Sequence, residues 1–202
     1  VRIVHLTPAM GQILTGGKSI SLPSVRYAFF GGDRLRKRDI ELLWELAPQA
    51  TVVAFYGASE TQRAVGHFII PPKADQLQDH PDTPFLREIM PLGRGVKDVQ
   101  LLVLDKHREL AGVGELGEIC VRSPHMARGY LGDEELTKER FITNPFTGIE
   151  GDRVYRTGEQ GRDLLLTERM REPPVAGGRW QVAERVFAAR ARSGEEGMEA
   201  AE

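Results

Sequence analysis

Apolar positions change their spacing along the chain, and each spacing predicts an element. Val1-Arg2-Ile3-Val4-His5-Leu6 reads as a strand. Thr7-Pro8 then starts a helix, with Thr as N-cap and Pro at the first helical position, and the helix runs through Met10 and Ile13 to Gly16-Gly17. Ser24 to Phe30 is a second strand, closed by Gly31-Gly32-Asp33. From Arg34 onward, Leu35, Ile40, Leu43, Trp44 and Ala47 suit one face of a helix, with Arg36, Lys37, Arg38 and Glu41 mostly outside. Thr51 to Phe55 is a third strand. This strand-helix-strand layer predicts an α/β fold.

Pro71 to Pro91, rich in Pro, Asp and Gln, reads as a long loop. Beyond it, Val99 to Leu104 and Glu118 to Arg122 read as strands separated by turns at Lys106-His107 and Gly112 to Gly114, the pattern of a small β-rich subdomain. Asp133 is placed to N-cap a short helix through Leu136, Lys138 and Phe141, and Gly148 to Arg153 turns into Tyr155. The expected division is an α/β portion over 1–98, a β-rich subdomain over 99–162 and a tail over 163–202. The tail carries Pro173-Pro174 and Gly177-Gly178 and then a Glu/Ala/Arg-rich run that reads as a loose helix.

Composition narrows the class. In 202 residues, 41% are hydrophobic and 28% charged, so the chain has material for a sizeable core and is neither disordered nor membrane-like. A net charge of −2 offers no basic field for nucleic acid and no polybasic stretch for anionic lipid. The single cysteine, Cys120, has no internal disulfide partner and sits in an apolar run, where a strand-core thiol is expected. No Cys/His cluster has zinc-ligand spacing, and no apolar run reaches membrane-spanning length. The expectation is a cytoplasmic protein with neither nucleic acid nor membrane as partner.

Candidate chemistry concentrates after the third strand, in Tyr56-Gly57-Ala58-Ser59-Glu60. Gly57 permits a sharp turn and close backbone approach to a ligand. An aromatic face, a hydroxyl and a carboxylate together suit a base, a phosphate and a hard cation, although a strand followed by a polar turn explains the same residues. In an open α/β sheet ligands collect beyond the carboxyl ends of strands, where both Gly31-Gly32-Asp33 and Tyr56 to Glu60 fall.

Tyr56-Gly57-Ala58-Ser59-Glu60 resembles the tyrosine-glycine-x-threonine-glutamate motif of AMP-forming adenylating enzymes, the superfamily of acyl-CoA synthetases, luciferases and nonribosomal peptide synthetase adenylation domains. Gly114-Glu115-Leu116-Gly117-Glu118 with Ala127-Arg128-Gly129-Tyr130-Leu131 is similar to the next core motif, and Tyr155-Arg156-Thr157-Gly158-Glu159-Gln160-Gly161-Arg162 to the one after it. The resemblance implies a piece of the large N-terminal adenylating core. It also implies attack of a substrate carboxylate on the α-phosphate of ATP, with Mg²⁺, to give an acyl adenylate for loading on the phosphopantetheine of a carrier-protein domain that is not in this chain. By that likeness Ser59 and Glu60 are catalytic, Glu60 as magnesium ligand and Ser59 near the α-phosphate. Gly32, Asp33, Tyr56, Gly57, Ser59, Glu159 and Arg162 are implied on the nucleotide side: Tyr56 against adenine, Arg162 near ribose or phosphate, and Glu159 where the family has an aspartate on the ribose hydroxyls. Arg128 and Tyr130 are expected to hold a loop rather than to touch substrate.

Between the motifs, His5 to Gln12, Ala28 to Asp33 with Lys37-Arg38-Asp39, and Glu60 to Val65 look like the adenylation region of α-aminoadipate reductases, which adenylate a side-chain carboxylate and reduce it to the semialdehyde. The family's substrate-pocket positions then fall on His5, Phe29, Gly31, Phe55, Arg63 and Ala64. Arg63 suits bidentate recognition of a second carboxylate, and Gly31 departs from the pattern in a way that points to a different acid. The resemblance covers Val1 to Arg162. A phosphate loop upstream and a catalytic lysine downstream are expected from the family and do not occur here, so the sequence reads as an internal fragment that is inactive alone, whose partners include the remainder of the adenylation domain and a small amino or carboxylic acid. Two alternatives stand beside this: a non-catalytic truncated remnant or interaction module, and the adenylation domain of a reductase-terminated peptide synthetase with another substrate.

Overall fold

The computed structural model describes residues 1–16, 21–61, 64–72, 88–165 and 185–189. Its first sheet comprises β1 (Ile3–Leu6), β2 (Tyr27–Phe30), β3 (Thr51–Tyr56), β4 (Gly66–Ile70) and β5 (Arg94–Gly95), side by side in chain order. β1, β2 and β3 are parallel, β4 runs antiparallel to β3, and β5 antiparallel to β4. Helices α1 (Pro8–Gly16) and α2 (Lys37–Leu46) make the two crossovers. Adjacent parallel strands joined by right-handed crossovers put both helices on one face of the sheet. That face is the first core: Ala28, Phe30, Val52 and Ala54 from the strands meet Leu35, Ile40 and Leu43 from α2 and its approach.

The predicted starts and stops hold where local chemistry dictates them. Thr7 caps α1 by accepting the Met10 N–H at 3.2 Å. Trp44 is half-buried with its Nε1 donating to the Ala50 carbonyl at 2.8 Å. Asp39, absent from the apolar pattern, is buried: one carboxylate oxygen accepts the Arg36 N–H at 3.0 Å at the start of α2, and the other accepts Gln12 Nε2 at 2.9 Å, tying α2 to α1. Two strands that the sequence pattern did not single out, β4 and β5, extend the sheet beyond β3.

The second sheet runs in the order β10 (Arg185–Ala189), β9 (Arg153–Leu165), β7 (Leu116–Arg122), β6 (Gln100–Leu104), antiparallel throughout, with β8 (Phe141–Thr143) also on β9. Helix α3 (Glu134–Arg140) precedes β8, and the Asp133 carboxylate accepts the Leu136 N–H at 2.8 Å as its N-cap. The two sheets divide between Gly95 and Gln100 and share a second core, in which Leu101, Val103 and Val121 pack with Val65 and Val99 and with the half-buried Tyr56, Leu92 and Val96. Within the Glu/Ala/Arg-rich run expected as a loose helix, Arg185–Ala189 is instead a strand paired with β9. The unfilled hydrogen bonds of the β9 edge outweigh the weak local helix preference there. The rest of that run, and residues 73–87 of the expected long loop, lie outside the described residues.

Candidate functional site at the junction of the two sheets

The end of β3 separates two environments by a single step of strand alternation. Phe55 points to the face of the first sheet that carries no helix, and Tyr56 points to the second sheet. On the first side, His5 stacks on Phe29 with ring centroids 4.9 Å apart, and Phe29 stacks on Phe55 at 5.3 Å, nearly parallel. Cross-strand register explains the row: His5 lies opposite Phe29, and Phe29 opposite Val53, two residues before Phe55. A Cβ on Gly31 would meet Phe55 Cβ at 3.6 Å, ordinary contact, so the missing side chain leaves room beside the aromatic row. Ala64 is half-buried one residue before Val65, whose N–H bonds the Tyr56 carbonyl at 2.7 Å. Arg63 lies outside the described residues.

On the second side, the Tyr56 hydroxyl donates to the Glu159 carboxylate at 2.8 Å across 103 residues of sequence. Burial pushes the Tyr56 pKa up, and the Glu159 charge and hydrogen bond push it further, so the phenol stays a donor. The turn after β3 is closed by Thr61, whose hydroxyl accepts the Ala58 N–H and donates to the Ala58 carbonyl, both at 3.2 Å. Ser59 is exposed on that turn. The next residue, Glu60, is gripped by the loop between β7 and α3: its carbonyl accepts the Ala127 N–H at 2.8 Å and its carboxylate accepts the Tyr130 hydroxyl at 2.9 Å.

Burial by itself would raise the Glu60 pKa. The Tyr130 hydrogen bond, the residue's own backbone N–H, the Tyr155 hydroxyl and the Arg140 charge outweigh it, and the pKa lies below the ordinary value. Among the described residues no group of three or more His, Cys, Asp or Glu side chains gathers as a metal cluster. One ionised carboxylate beside a hydroxyl nevertheless fits Mg²⁺, which keeps several waters and takes one or two protein carboxylates together with phosphate oxygens.

Gly32 and Asp33 follow β2 at the same end of the sheet, Gly32 with φ +90° and the Asp33 carboxylate accepting the Arg34 N–H at 2.7 Å. Arg162 is not brought into this cluster. Three residues beyond Glu159 on β9, it falls on the opposite face, and its guanidinium donates to the Gly114 carbonyl. Cys120 is fully buried in β7, and burial, followed by the neighbouring Glu118 charge, pushes its pKa up to about 12, so the thiol is a packing group. Sequence reasoning missed the roles of Thr61 and Tyr155 and the contact of Tyr130 with Glu60. The Thr three residues after Ala58 was a readable turn signal, whereas nothing local announces a contact between residues 60 and 130.

The family model described as AMP-binding enzyme matches residues 1–131. The L-2-aminoadipate reductase of Schizosaccharomyces pombe is 40% identical over 186 residues, which cover 81% of this chain and 13% of that protein. Tyrocidine synthase 2 of Brevibacillus parabrevis is 32% identical over 163 residues, covering 80% of this chain and 4% of that protein. The chain thus spans a small part of the relatives it matches. Among solved structures, PA1221, a nonribosomal peptide synthetase protein containing adenylation and PCP domains, superposes with a TM-score of 0.68 at 23% identity over 93% of this chain and 33% of that one, a likeness of fold.

Proposed function

The chain belongs to the AMP-binding enzyme family, and from that premise we propose that its sheet junction is part of a site that activates a carboxylate with ATP for transfer to a carrier-protein phosphopantetheine. The observation that carries this reading is the convergence of family-motif residues from separate elements. Tyr56 and Glu159 meet at 2.8 Å, and Glu60 and Tyr130 at 2.9 Å, although 103 and 70 residues separate the partners. Tyr56 offers a ring face to adenine, Glu159 a carboxylate to ribose hydroxyls, and Ser59 a hydroxyl toward the α-phosphate. Glu60 holds Mg²⁺. The cation, when bound, lessens the repulsion between the reacting carboxylate and the α-phosphate. The substrate acid lies against His5, Phe29 and Phe55, in the space left by Gly31, with Ala64 at its border and Arg63 as partner of a second carboxylate. The likeness to L-2-aminoadipate reductases supports an amino dicarboxylic acid of the α-aminoadipate class, and the space left at Gly31 suits an acid that differs from α-aminoadipate in shape. The carrier domain and the remainder of an adenylation domain are the partners this reading requires.

A second reading, a non-catalytic remnant, has its own support in Arg162, whose guanidinium donates to the Gly114 carbonyl and is turned away from the cluster it was expected to join. Calorimetry with ATP and Mg²⁺ on this chain and on Glu60→Ala separates the two. Binding that weakens about tenfold or more in the variant supports the activation site. A folded chain that does not bind removes it and leaves the remnant.

A further inference from the structure

Tyr130 belongs to a loop that is already secured without its hydroxyl. The Tyr130 N–H donates to Thr137 Oγ1 at 2.8 Å, and Thr137 in turn donates to the Asp133 carbonyl at 2.7 Å. Gly129 lies so close to Thr137 that a Cβ would come within 2.4 Å of its methyl carbon. Arg153 donates to the carbonyls of Arg128 and Ala127 at 2.8 and 3.0 Å, and the Ala127 N–H bonds the Glu60 carbonyl. The Tyr130 ring packs edge-on against buried Phe141, centroids 5.7 Å apart, and Phe141 packs in turn on buried Tyr155 at 5.0 Å. Arg153 covers the Phe141 ring at 5.4 Å. With the backbone and ring held in this way, the hydroxyl is not needed to keep the loop in place, and it is aimed at one oxygen of Glu60 at 2.9 Å.

We propose that Tyr130 is a positioning residue for Glu60, fixing its carboxylate in the orientation from which it ligates a divalent cation; this rests on the reading of Glu60 as cation ligand. A glutamate on an exposed turn samples several rotamers, and binding a cation would have to select one. The tyrosine selects it beforehand, together with the Tyr155 hydroxyl and the Arg140 charge, which act on the same carboxylate. The loop-holding role expected from sequence and the positioning role are then separable, because different atoms of Tyr130 perform them.

The test is ATP binding by this chain with and without Mn²⁺, in the unsubstituted protein and in Tyr130→Phe, Thr137→Val and Glu60→Gln, with a thermal unfolding midpoint for each. Tyr130→Phe is expected to lower the midpoint by a few °C, as loss of a hydrogen bond to a charged group does, and to keep its metal-free ATP binding while its Mn²⁺-dependent gain in affinity falls about tenfold. Thr137→Val, which loosens the loop and keeps the hydroxyl, is expected to lower the midpoint and keep the gain. The proposal is overturned if Tyr130→Phe keeps the full gain, or if Thr137→Val loses it equally. If Glu60→Gln keeps the gain, or the unsubstituted chain shows none, the cation-ligand reading itself fails and the proposal falls with it. Loss of the gain in Glu60→Gln alone sinks the role of Tyr130 and spares that reading.

Discussion

Removing one oxygen atom from Tyr56 tests whether the two sheets are held together at the site. In Tyr56→Phe the ring and its packing beside Val65, Leu92 and Val96 remain, and only the 2.8 Å bond to Glu159 is lost. A hydrogen bond to a charged group contributes about 1.5–3 kcal/mol, and leaving a half-buried carboxylate without its donor is part of that figure. Both side chains keep some solvent contact, so the lower half of the range, about 1.5–2 kcal/mol, is expected. For a chain of this length each kcal/mol moves the unfolding midpoint by roughly 2–4 °C, which predicts a fall of roughly 3–8 °C. The assay is thermal and urea unfolding of the chain, Tyr56→Phe, Glu159→Gln and the double variant. If the bond is real, the double variant loses less than the sum of the singles by about 1 kcal/mol or more; if the losses add to within about 0.3–0.5 kcal/mol, the two groups are uncoupled and the reasoning is wrong.

Neighbouring glycines after β2 should behave differently in urea unfolding. Gly31→Ala meets only ordinary contacts and is expected to change stability by less than about 0.5 kcal/mol, whereas Gly32→Ala forces a side chain onto φ +90° and is expected to cost about 1 kcal/mol or more. Equal effects would refute the distinction. Asp152 accepts Arg122 Nε at 2.7 Å, Thr147 Oγ1 at 2.8 Å and Asn144 Nδ2 at 3.0 Å. Burial alone would raise its pKa, but these donors together hold it below the ordinary value. Because the folded pKa is depressed, the contribution is fully present above the unfolded value of about 3.9 and is lost as pH falls through the folded one. Asp152→Asn is therefore expected to destabilise by about 1–3 kcal/mol at neutral pH, with the gap to the unsubstituted chain closing below about pH 4. A gap that persists at low pH would contradict the assignment.

Local signals were legible because they act within a turn or two of helix or along one strand. Thr7-Pro8 started α1, Asp133 capped α3, and the apolar spacing of Ile40 and Leu43, with Leu35 just before the helix, named the buried face of α2 and its approach. The motif around Tyr56 and Glu60 was readable because its chemistry sits in consecutive residues. Less was legible where pairing is non-local. β4 and β5 add to the sheet through hydrogen bonds to strands already formed, and Arg185–Ala189 becomes a strand because β9 offers it an edge. The burial of Asp39 depends on Gln12, 27 residues away.

The sequence by itself therefore determined the α/β class, the strand-helix-strand-helix-strand order from Ile3 to Tyr56 and the hydroxyl, carboxylate and aromatic groups that the motif gathers. Only the tertiary structure decided how those groups are used. It set Phe55 and Tyr56 against different neighbours, joined Tyr56 to Glu159 and Tyr130 to Glu60, and turned Arg162 toward Gly114. The reason is physical. Propensity, capping and turn chemistry act over a few residues, whereas a site at a sheet junction depends on contacts whose loop-closure entropy is offset only once both sheets have packed.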